Sequence, residues 1–110
     1  MWYLVVSRAQ RPLDEVQAHH AAHMEWLLGQ HRAGRVLFSG ATSDRSCGVY
    51  VLLADNLQEA EGLAGEDPYN AQGDRVPQVW EWNVQRSMRL DGPTITDIEA
   101  MAGHAAKPQA

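Results

Sequence analysis

The chain has 110 residues, 45% hydrophobic and 21% charged, with a formal net charge of -5. A domain of this size buries roughly two thirds of the surface its unfolded form exposes, enough for one core without disulfide or metal. Its nine Lys and Arg residues form no phosphate-tracking stripe, so nucleic acid is not an expected partner.

The lone Cys47 has no partner for an intramolecular disulfide, which suits a reducing compartment. The apolar opening, residues 1–6, is too short to span a membrane and lacks the basic start of a signal peptide. The expectation is a cytoplasmic protein without membrane contact.

Trp2 to Ser7 is aromatic and β-branched without a turn signal, and predicts a first strand. Pro12, Asp14 and Glu15 suit the start of a helix. The spacing predicts one long helix from Leu13 to Ala33, with Val16, His20, Met24, Leu27 and His31 on its apolar face. Gly34 supplies its stop.

Arg35 to Gly40 predicts a second strand, Thr42 to Ser46 a polar turn, and Gly48 to Ala54 a third strand. Asp55 or Asn56 caps a second helix whose stripe is Leu57, Ala60, Leu63 and Ala64, ending at Gly65. After Asp67-Pro68-Tyr69 and an irregular piece to Gly73, Val76 to Val84 alternates as a fourth strand.

The order β-α-β-β-α-β predicts an α+β, ferredoxin-like fold. It has a four-stranded antiparallel sheet with two helices on one face. That topology centres the first and third strands, here the continuous apolar runs, and leaves Pro77 on an edge. Two helices cover only one face, so the other is expected to pair with a second copy in a homodimer. Residues 1–85 make up this domain. Residues 86–110 are an extension, with a short helix begun by Thr96-Asp97-Ile98-Glu99 and a frayed end.

Four of the five histidines, His19, His20, His23 and His31, lie on the first helix, and histidine moves protons best near neutral pH. The predicted phase puts His20 at the centre of the apolar face, His23 at its edge and His19 towards solvent. His19 and His23 have metal-pair spacing, but no third ligand stands at a recognisable distance and no metal is expected. Asp67 is pinned by Pro68 and would orient an imidazole if it faced one. Tyr69 and Trp82 are candidates for lining a pocket. No nucleophile elbow, phosphate loop or cofactor motif is present, so no cofactor is expected.

Two stretches together carry a family resemblance. His23-x-x-x-Leu27 leads to Gly34-Arg35-Val36-Leu37-x-x-Gly40, and Asp67-Pro68-Tyr69-x-Ala71-x-Gly73 follows later. The chain resembles the YciI-like (YCII-related) family over roughly residues 1–85. The resemblance implies a dimeric α+β barrel and an acid/base pair at His23 and Asp67. The family includes a dehydrochlorinase of a chlorinated hydroxyquinol, and the wider superfamily includes cofactor-free isomerases and monooxygenases. Many relatives carry Arg three residues before the histidine and Gly-Pro after the second strand, where this chain has His20 and Gly40-Ala41.

The resulting expectation is a cofactor-independent lyase or isomerase acting on a small cyclic or aromatic metabolite. His23 and Asp67 would be catalytic; His20, Tyr69 and Trp82 would contact substrate. The alternatives are a non-catalytic dimeric ligand-binding or pathway accessory protein and a cofactor-free monooxygenase.

Overall fold

Four strands pair antiparallel in the order β2-β3-β1-β4 in the computed structural model, which describes residues 1–85. β1 is Trp2–Ala9, β2 Val36–Ala41, β3 Cys47–Leu53 and β4 Arg75–Glu81. The apolar β1 and β3 are central, and β4 with Pro77 is an edge, as the pattern predicts. The predicted tail helix lies outside the described residues.

The register sorts side chains into two faces. Tyr3 pairs with Leu52 and Val5 with Tyr50, and all four are buried. With Leu27, Val36, Ala60 and Ala64 they form the core beneath the helices. The alternate positions, including Leu4, Val6, Val49 and Val51, point to the other face, because neighbours along a strand project oppositely.

The long helix expected over residues 13–33 is two helices, α1 Leu13–Gln17 and α2 His20–Arg32. His19 stands between them with φ -105° and ψ 12°, and its imidazole is tied to Asp74. His23, Leu27 and His31 face the core at seven, eleven and fifteen residues from the buried Val16, the spacing of one helical stripe, whereas His20 is exposed and Met24 partly so. The predicted stripe centres on His20 because it includes Met24. This reverses the predicted placement of His20 and His23.

α2 stops as predicted. Gly34 takes φ +75°, a left-handed conformation that costs a residue with Cβ. The Arg35 amide donates to the Gln30 carbonyl and the Gly34 amide to that of His31, both at 3.0 Å, a Schellman closure.

α3, Leu57–Glu66, is capped by Asn56, whose side chain accepts from the Glu59 amide at 2.8 Å. It passes Gly65 and ends where Asp67-Pro68 begins α4, Pro68–Ala71. The segment read as irregular thus contains a helical turn. A helix end needs a signal that redirects the chain, and Pro68 is stronger than Gly65 because it fixes φ and biases the residue before it.

Asp44 organises the turn between β2 and β3. Its carboxylate accepts from the Ser46 amide at 3.0 Å and from the Ser46 and Thr42 hydroxyls at 2.7 Å. These bonds, the Ser46 amide first, hold its pKa at about 2 against an ordinary 3.8. A depressed carboxyl pKa stabilises the fold fully above the unfolded value and loses that effect as pH falls through the folded one. Asp44 should therefore titrate near pH 2 in carboxyl-detected NMR, and the turn should be insensitive to pH above about 4. A midpoint at the ordinary value would mean that these bonds do not form in solution.

Candidate active site

The site grows from the α3–α4 junction. Asp67 is fully buried and acts as N-cap of α4, its Oδ1 accepting from the Tyr69 amide at 3.0 Å. Pro68 fills the first helical position, where a missing N–H costs nothing. The same Oδ1 lies 2.7 Å from His23 Nδ1, which reaches it from α2. An ionised carboxylate only accepts hydrogen bonds, so Nδ1–H donates, and in the neutral imidazole Nε2 then carries the lone pair.

Tyr69 joins the other groups. Its ring stacks on the His23 imidazole with centroids 4.3 Å apart and planes 26° apart. Its hydroxyl lies 3.0 Å from His20 Nδ1. Burial raises the Tyr69 pKa, and the Arg75 guanidinium opposes that rise. Burial likewise pushes the Tyr50 hydroxyl well above its ordinary value, with the Asp67 charge adding to the effect. Both phenols stay protonated at neutral pH.

A cavity of about 260 Å³ opens between α2 and the sheet. His20, His23, Tyr50 and Tyr69 line it, with Val16 and Leu27 among its apolar walls. Asp67 does not line it and supports His23 from behind. An apolar cavity of ~150 Å³ already accommodates benzene, so this volume suits a substituted single ring.

The structure thus brings together His23, Asp67, His20 and Tyr69. It does not bring Trp82 with them. Trp82 is half exposed, lies outside the cavity lining, and donates its amide to the Trp2 carbonyl. The two-residue alternation of β4 explains this: Trp80 opposes Leu4 on the outer face, and Trp82 continues that row. His31 is buried further along α2, with Nε2 2.8 Å from Ser39 Oγ. His19 pairs with Asp74 together with Arg11, whose Nη1 is 3.2 Å from that carboxylate. No metal-binding cluster occurs among the described residues. Sequence reasoning missed Arg75, which lines the cavity with its guanidinium carbon 4.2 Å from the Tyr69 ring centroid.

Residues 1–83 match the YCII-related domain. The chain belongs to the YCII-related family. It is 34% identical over 70 residues to the uncharacterised protein YjpA of Bacillus subtilis, a match spanning 64% of this chain and 82% of that one. Its fold is similar to that of 5-chloro-2-hydroxyhydroquinone dehydrochlorinase (TftG) from Burkholderia phenoliruptrix, solved with 2,5-dihydroxybenzoquinone. The TM-score is 0.61 at 21% identity, over 76% of this chain and 94% of that one. No helix among the described residues is long and apolar enough to cross a membrane.

The shared Oδ1 of Asp67 makes a stability prediction. Asp67→Ala removes the α4 cap and the acceptor for His23 together, at a cost of roughly 2–3 kcal/mol. Asp67→Asn keeps an oxygen for the Tyr69 amide and should lose only about 1 kcal/mol. Urea unfolding of the two variants checks this; equal losses would show that the oxygen does not carry the cap.

Proposed function

We propose that this protein is a cofactor-independent lyase or isomerase acting on a small cyclic or aromatic metabolite. The observation that carries the reading is the buried His23–Asp67 hydrogen bond at the wall of a ring-sized cavity. A carboxylate that holds one imidazole nitrogen as a donor leaves the other as a base and balances the charge the ring acquires.

In the proposed reaction, His23 Nε2 accepts a proton from an O–H or C–H of the ring compound. The electron pair freed moves into the ring. In a lyase the leaving group departs with its bond pair; in an isomerase His23 returns the proton at a different atom. His20 and Tyr69 position the substrate oxygens. The dehydrochlorination of a hydroxylated hydroquinone named for the structural neighbour is chemistry of this type.

The experiment is turnover of halogenated hydroquinones, followed by halide release and by deuterium uptake from solvent in proton NMR. His23→Asn should lower the rate by about 10²–10⁴-fold while the fold persists by circular dichroism. Unchanged turnover would remove His23 from the mechanism. Compounds that bind without turnover or exchange would favour a binding protein.

The partner we propose is a second copy of the chain. Trp80 and Val76 of β4 and Phe38 of β2 are half exposed, and they extend the outer row formed by Leu4, Val6, Val49 and Val51. A contiguous apolar sheet face of this kind marks an association surface, and paired sheets would bury it. Trp80→Glu should convert a dimer to a monomer in analytical ultracentrifugation. A wild-type chain that sediments as a monomer would rule this partner out.

A further inference from the structure

Among the described residues, Arg75 is a buried cation without a counter-ion. Its relative exposure is 7%, and its Nε has no hydrogen-bond partner among the described residues. The ion pairs there are Arg11–Asp74, His19–Asp74 and His23–Asp67, so no carboxylate lies within 4.0 Å of the Arg75 guanidinium. Asp67 Oδ1 takes His23 and the Tyr69 amide while its Oδ2 is buried without a hydrogen-bond partner among the described residues, and both Asp74 oxygens take Arg11 and His19, so neither carboxylate pairs with Arg75. The guanidinium lies over the Tyr69 ring face. A ring face attracts a cation but accepts none of its five directional N–H bonds in the plane of the fork.

The surroundings leave room for this group. A Cβ at Gly48 would overlap Arg75 Nη1, so the absence of a side chain on β3 permits the guanidinium to lie against the sheet. Gly48 and Arg75 both line the cavity that holds His23. The His23 imidazole and the Arg75 guanidinium carbon each lie within 4.3 Å of the Tyr69 centroid. A second cation, Arg45, borders the same cavity from the β2–β3 turn, where it is held at φ +62°.

Resting on the acid/base reading above, we infer that Arg75 is the anion-recognising residue of this cavity and that the substrate carries a carboxylate or a comparably anionic oxygen on its ring. The planar guanidinium matches a carboxylate by two parallel hydrogen bonds, and desolvation inside the cavity strengthens them. Arg45 adds long-range attraction at the rim. The anion is thereby fixed at one end of the ring while His23 Nε2 meets the other. Gly48 is a positioning residue, because it acts through Arg75.

The test compares two probes of nearly equal shape, 2,5-dihydroxybenzoate and its neutral amide, 2,5-dihydroxybenzamide, titrated calorimetrically into the full chain at pH 7.5. Wild type should bind the benzoate about ten- to a hundred-fold more tightly, the range for a charge-assisted contact. Arg75→Gln should abolish that preference, and Arg75→Lys should keep part of it. Gly48→Ala should weaken it without changing net charge. Equal affinity of wild type for the two probes overturns the inference whether or not any variant folds. His23→Asn separates this from the catalytic reading: an intact preference with turnover lost supports both. An intact preference with turnover unchanged removes the acid/base role alone and leaves the anion site standing.

Discussion

Everything about the site depends on one oxygen with two donors. Asp67 Oδ1 caps α4 through the Tyr69 amide and holds His23 through its imidazole. Burying a carboxylate is costly unless its bonds are made. The backbone turn that satisfies one lone pair therefore requires α2 to deliver a donor to another. Local chain chemistry (Asp as cap, Pro at the first helical position) thus sets a long-range contact between residues 44 positions apart. The strands underneath serve mainly to keep the two helical segments at the spacing that this bond needs.

The sheet was the legible part of the sequence. Continuous apolar runs separated β1 and β3 from the flanking strands, and Pro77 marked an edge, because a sheet registers its environment in a two-residue period that survives in the residue order. The histidine phase was not legible. A single periodic pattern over residues 13–33 hides the break at His19, which rests on Asp74, a residue 55 positions away. Counting Met24 and His20 into the stripe moved its centre to His20 and left His23 at the margin, although His23, Leu27 and His31 stand seven, eleven and fifteen residues from Val16, on one side of a helix. The resemblance carried by Asp67-Pro68-Tyr69 pointed to His23, where periodicity pointed to His20.

Arg75 was illegible for a related reason. An arginine opening an alternating edge strand reads as a solvated charge, which is where most arginines lie. Its burial depends on Gly48 across the sheet and Tyr69 beneath it. Those neighbours are brought in by strand register and by the turn of α4, neither of which leaves a mark at position 75. Trp82 failed in the opposite direction. Its size and polarity suggested a pocket wall, yet the parity of its strand placed it on the outer face.

Tyr69 is the physical link between the two kinds of group in the cavity, with the imidazole stacked on its ring and the guanidinium over it. A residue in that situation cannot drift freely over evolutionary time. Replacing the ring would alter the setting of the proton-transfer group and of the cation in one step, so substitutions among these three positions would not add as independent effects. Paths that retune one without the other must run through outlying neighbours, with Gly48 bearing on the guanidinium and Asp67 on the imidazole. The accessible variation in specificity is therefore narrower than the number of lining residues suggests, and it is ordered: the supports can change before the ring does.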